Sequence, residues 1–162
     1  MSLLALNVLL AIAWAALWNS FSLTMLFTGF LLGYGGLWFA RDLILATDQQ
    51  HRYFRTLWQS VVLIVYFIKE LVKSCLMVAR DCIARQPRLH PAIVRMPLDV
   101  ETDLEIFLVA NLISLTPGTL TLDVAPDRSF LVIHSIYARD KEALVADLKN
   151  GMEYRVKEVF RP

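Results

Sequence analysis

The sequence predicts an α-helical membrane hairpin and an amphipathic helix, followed by a small α+β domain ordered strand, helix, strand, strand, helix. Three observations predict this class. Residues 3–40 contain no Asp, Glu, Lys, Arg or His. Residues 57–79 mix apolar and charged side chains at helical spacing. After Pro87 the chain breaks into short alternating runs divided by Pro, Gly and Asp. A chain of 162 residues suits a membrane piece joined to one small domain.

One straight helix over residues 3–40 would reach about 57 Å, nearly twice the hydrocarbon thickness. The polar group Asn19-Ser20 with Ser22 instead predicts a tight turn between helices at Leu3–Leu17 and Leu23–Ala40, with Ser22 capping the second. The remainder of the chain is too small to cover two helices that are apolar all round, so lipid is their expected surrounding. Asn7 is the one strongly polar residue of the first helix. It has two readings, a hydrogen bond to another helix or a seat at the headgroup level. In the second helix Gly29 and Gly33 have the spacing of a close-packing face, although glycine is common in membrane helices. Trp14, Trp18 and Trp38 fall near helix ends, where interfacial aromatics belong. No positive residue precedes the apolar run, so it reads as a retained anchor and not as a cleaved leader.

Residues 41–56 form a polar linker carrying Arg41, Arg52 and Arg55, whereas the turn at Asn19 has no charge. The bias of Lys and Arg toward the cytoplasm puts this linker, and the domain after it, inside. Residues 57–86 are apolar for about a dozen positions and then carry Lys69, Glu70 and Lys73. A cation at mid-membrane costs on the order of 3 kcal/mol, so these three should form an interfacial polar face or meet a partner. Gln59, Tyr66, Glu70 and Lys73 make a polar stripe, and arginines follow at 80, 85, 88 and 95. Two arrangements satisfy this pattern. The helix lies in the membrane interface, or it is a third span whose stripe other subunits cover.

Residues 87–162 predict the α+β domain. A strand over residues 92–100 contains Pro97, which belongs at a sheet edge or bulge. Thr102 and Glu105 have the spacing of a capping box. The apolar run after them is too short to cross a membrane and ends at Pro117-Gly118, so it predicts a buried domain helix. Strands follow at residues 119–124 and 130–137. Asp140 caps a last helix with Val145, Leu148, Met152, Val156 and Val159 on one face, weakened locally at Gly151.

Nothing in this pattern predicts catalysis. His51, His90 and His134 lack metal-type spacing with cysteine or carboxylate. Cys75 and Cys82 lie seven apart on one helix face and read as small apolar residues. No phosphate-binding loop or nucleophile motif occurs, so no catalytic, cofactor or metal site is expected. A net charge of +1 without a dense basic run argues against nucleic acid as a partner.

The stretch NLISLTPGTLTLDV at residues 111–124 resembles the signature of the E subunit of the multisubunit Mrp/Mnh/Pha-type Na+(K+)/H+ antiporters. Hairpin, amphipathic helix and closing charged helix extend the resemblance over nearly the whole chain, and Leu-Thr-Pro-Gly-Thr is its most specific piece. It implies a bacterial inner-membrane complex of several subunits that exchanges Na+ or K+ for H+. In that complex this chain would be an accessory subunit among membrane lipids and partner subunits, outside the main ion path. On the motif fall Asn111, Ser114, Thr116, Pro117, Gly118, Thr119 and Asp123. The physical expectation for them is architectural: Thr116-Pro117-Gly118 stops the helix, and Asn111 and Asp123 tie helix to strand. The alternative is that the polar cluster meets a neighbouring subunit. The rival function is a membrane-anchored sensor whose domain binds a metabolite.

Overall fold

In the computed structural model, which describes residues 3–44, 49–87 and 89–161, the N-terminal stretch forms helices α1 (Leu3–Leu17) and α2 (Leu23–Ile44), the second running past the uncharged residues to include Arg41 and Asp42. Asn19 makes the turn with φ of 47°, a left-handed conformation that asparagine tolerates. The amides of Asn19 and Ser20 close the end of α1 on the carbonyls of Ala16 and Ala15, each at 3.0 Å. Ser22 Oγ accepts from the amide of Met25 at 3.3 Å and opens α2. By length and composition α2 is apolar enough to cross a bilayer, while α1 has 15 residues and falls short of that test.

The hairpin closes on small residues. A Cβ built on Gly29 would sit 2.9 Å from Trp14 Cβ and 3.0 Å from Ala11 Cα. One on Gly33 would collide with Asn7 Oδ1, whereas Gly35 and Gly36 have open space. Ala11, Ala15 and Asn7 are buried at this contact, and Asn7 Nδ2 donates to the Tyr53 hydroxyl at 3.0 Å. Of the two readings of Asn7, the structure has the helix-to-helix bond. Helix α3 (Gln49–Ile83) begins well before residue 57, so much of the expected linker is helical. Arg88 and linker residues 45–48 lie outside the described residues. The chain forms two units, Met1–Arg55 and Thr56–Pro162, whose boundary falls within α3.

In the second unit a three-stranded antiparallel sheet has the order β1 (Ala92–Pro97), β3 (Phe130–Ser135), β2 (Thr119–Val124). Pro97 pairs with Phe130 at the end of an edge strand, where its missing N–H costs nothing. A bulge between Thr121 and Asp123 shifts the register of β2. One sheet face carries Val94, Met96, Leu131 and Ile133, all buried. Against it pack α4 (Asp103–Leu115), α5 (Lys141–Leu148), a π-helical turn at Lys149–Glu153 and α6 (Tyr154–Phe160). They contribute Ile106, Val109, Ile113, Leu148, Met152 and Val156 to the core. On the other face Ile93, Leu120 and Leu122 are exposed. The sequence predicts one continuous last helix, locally weakened at Gly151; the structure instead widens it to a π turn there.

The start of α4 is fixed by a capping box. Thr102 Oγ1 accepts from the Glu105 amide at 3.3 Å, and Glu105 Oε2 accepts from the amides of Thr102 and Glu101 at 2.9 and 3.1 Å. Arg161 adds an ion pair to Glu105 at 3.3 Å. Burial alone would raise the pKa of Glu105, but these amides, the Thr102 hydroxyl and the Arg161 guanidinium hold it below the ordinary value of 4.5. A depressed carboxyl contributes stability that is full above 4.5 and lost as pH falls through the folded value. Glu105→Gln is therefore expected to cost about 1–3 kcal/mol near neutral pH and to flatten the acid limb of stability. Urea unfolding of the purified chain in detergent, followed by near-ultraviolet circular dichroism across pH, measures both effects.

Candidate functional site

The signature residues build the turn from α4 into β2. Thr116 Oγ1 donates to the Leu112 carbonyl at 2.9 Å, and Thr119 Oγ1 donates to the carbonyls of Ile113 and Thr116 at 2.7 and 3.0 Å. These hydroxyls satisfy the last carbonyls of the helix, which Pro117 cannot extend. Gly118 has φ of +93°, and a Cβ there would lie 3.1 Å from the Tyr137 ring. Helix and strand are tied by Ser114, whose Oγ accepts from the Thr121 amide at 3.0 Å, and by Thr121 Oγ1, which donates to the Ala110 carbonyl at 3.0 Å. Asn111 and Asp123 do not supply that tie in the described bonds. Asn111 Nδ2 donates to Phe107 O of its own helix at 2.7 Å, and Asp123 Oδ1 accepts from the next amide at 2.8 Å. Both are exposed and flank a shallow hollow beside Ser114 and Leu122. Thr121, which sequence reasoning does not single out, faces the helix because it alternates with exposed Leu120 and Leu122.

The turn also forms one wall of a cavity of about 110 Å³. Thr116, Pro117 and Thr119 line it from one side, Glu70 and Lys73 of α3 from another, and Asp147 of α5 completes its polar edge. The structure thus brings two sequence-derived groups together, the signature and the charged pair of α3. Lys73 Nζ and Glu70 Oε2 are 3.1 Å apart. Lys69 is exposed and does not line the cavity. Tyr137 closes the end near Asp81, where burial and then the Asp81 carboxylate raise the pKa of its phenol. That hydroxyl is buried without a hydrogen bond of good geometry.

Tyr66 marks how α3 meets the domain. Its hydroxyl occupies the place where a side chain at buried Gly151 would stand, and the Arg155 guanidinium lies 5.8 Å from its ring centre. About two helical turns away, Gln59 Nε2 donates to Glu158 Oε2 at 3.3 Å. The polar stripe of α3 therefore faces this chain's own α+β domain. Glu153 in the π turn is buried, and its Oε1 accepts from the amides of Asp99 and Val100. Neither Tyr66, Gly151 nor Glu153 carries a local signal of these roles. Among the described residues no group of three His, Cys, Asp or Glu side chains is placed to hold a metal ion. Gly29 and Gly33 belong to the hairpin contact and take no part in the cavity.

An apolar helical pair, without Asp, Glu, Lys, Arg or His in residues 3–40, joined to a small α+β domain is the build of a membrane-associated protein. The family model described as "Na+/H+ ion antiporter subunit" matches residues 7–159, and the chain belongs to that family. It is 38% identical over 157 residues to the E1 subunit of the Na(+)/H(+) antiporter of Staphylococcus haemolyticus, covering 95% of this chain and 94% of that one. It is 34% identical over 159 residues to the E subunit of the Na(+)/H(+) antiporter of Bacillus subtilis, covering 96% of each. A solved chain of the membrane-bound sulfane sulfur reductase, an archaeal respiratory membrane complex, is similar at 27% identity and a TM-score of 0.51, with 86% of each chain covered.

Proposed function

We propose that this chain is an accessory subunit of a multisubunit monovalent cation/proton antiporter in a bacterial inner membrane. It anchors through α1 and α2, carries its α+β domain on the cytoplasmic side, and supports assembly and activity of the ion-carrying subunits. The observation that carries this reading is the absence of Asp, Glu, Lys, Arg and His from residues 3–40. A path for cations or protons needs such groups or a lined aqueous channel, and one hairpin offers neither. Glu70 and Lys73 of α3 turn onto the domain, which fits a structural part better than a conduit. Arg55 after the hairpin, against an uncharged turn at Asn19, supports the cytoplasmic side.

Deleting this subunit tests the proposal. Native gels of membranes lacking it should lose most of the assembled complex, and vesicles should lose cation-dependent proton flux. Restoring the chain should recover both. Full assembly and full antiport without it would overturn the reading.

A further inference from the structure

Helix α3 is two-faced, and only one face is used within the described chain. Its polar stripe meets the domain, while Trp58, Val61, Val65, Ile68, Val72 and Leu76 are exposed on the opposite side. They recur every three or four residues, so they make one continuous apolar stripe. Trp58, at one end of it, is 64% exposed.

The domain's contacts decide what this stripe can meet. They run along α3 from Gln59, bonded to Glu158, past Tyr66 beneath Arg155, to Met77 in the wall shared with Thr116. Eighteen residues of helix rise about 27 Å, close to the roughly 30 Å hydrocarbon thickness. If α3 crossed the bilayer, the domain lying along it would have to enter the hydrocarbon with its charges. Glu158, Arg155 and Asp147 would each face the desolvation that keeps ionised groups out of lipid. The stripe therefore does not cross.

We infer that α3 lies along the membrane surface, with its apolar stripe in the acyl-headgroup boundary and the α+β domain on its water side. Chain length and charge point to lipid as the occupant. Only residues 45–48 separate Ile44, the end of apolar α2, from Gln49, the start of α3, so α3 begins within about 18 Å of that membrane helix. Lys69 and Arg80 are exposed along one border of the stripe, placed to reach anionic headgroups while their stems cover apolar surface. Trp58 suits the same boundary. The inference rests on the hairpin being embedded in the bilayer, as proposed above.

Collision accessibility of spin labels tests it in the assembled complex, reconstituted in phosphatidylethanolamine and phosphatidylglycerol vesicles. Single cysteines at Val61, Val65, Ile68, Val72 and Leu76 are labelled after Cys75→Ser and Cys82→Ser. All five should report one shallow depth, about 5–10 Å into the boundary, with oxygen favoured over a water-soluble nickel chelate. A profile deepest near Ile68 and shallow at both ends would mean a span and overturn the inference. Exclusion of both reagents would mean a protein partner covers the stripe, and would overturn it too. Native Cys75, labelled after Cys82→Ser alone, gives a position on this helix that needs no new side chain and should report the same shallow depth. A label at Leu31→Cys in α2 separates the two claims. It should be deep, and a shallow reading there would count against the hairpin while the α3 profile still decides its own case.

Discussion

Gly29→Val should force α1 and α2 apart. The new Cβ would lie 2.9 Å from Trp14 Cβ and 3.0 Å from the Ala11 backbone, neither of which can swing aside as a side-chain tip can. Overpacking of this kind costs typically about 1–3 kcal/mol, and here the strain falls on the closest approach of a two-helix unit. Asn7 adds to the loss. It is fully buried and bonded to Tyr53, and separation of the helices would leave its amide facing lipid. Gly36→Val, placed where the structure has open space, is the matched control. Spin-label distances between Ala16 and Met25 should lengthen in the first variant and stay unchanged in the second. Equal distances in both would refute the close-packed hairpin.

The second large effect is expected at Gly151. A valine there takes the position of the Tyr66 hydroxyl and expels the ring from its seat. With Tyr66 go its contact with Arg155 and the register that aligns Gln59 with Glu158. A loss of about 2 kcal/mol in the attachment of α3 is expected, within the range for overpacked sites. Electron-spin distances between labels at Ser74 and Asp147 should broaden. Tyr66→Ala in the same chain should partly restore the narrow distribution, because it removes the group that collides. Such non-additivity is the mark of direct contact. If the two substitutions add independently, Tyr66 does not hold α3 in place.

Much of this architecture is legible in local chemistry. Asn19 marks a turn because it tolerates positive φ; Thr102 and Glu105 mark a helix start because their spacing lets each cap the other's backbone. Thr116-Pro117-Gly118 marks a stop for the same local reason, and Pro97 sits on an edge strand. What escapes depends on partners distant in the chain. The stripe from Gln59 to Lys73 has one periodicity whether it faces headgroups, another subunit or its own domain, and only the fold identifies Gly151 and Glu158 as its partners. Gly151 looks like a weak point in a helix because a missing side chain signals nothing about the ring that fills the space. Polarity alone points to Asn111 and Asp123 as the tie between helix and strand, yet the alternating hydroxyls of Ser114 and Thr121 make it. The start of α3 at Gln49 is hidden because polar residues read as linker when no apolar face accompanies them.

Proton flux in vesicles containing the purified chain alone most directly tests whether it is a supporting part or a conduit. With an imposed Na+ or K+ gradient, the internal pH should hold steady, while vesicles carrying the whole complex should acidify or alkalinise at once. Cation-driven proton movement through the single chain would contradict the account, since it would require a path that the uncharged hairpin does not provide.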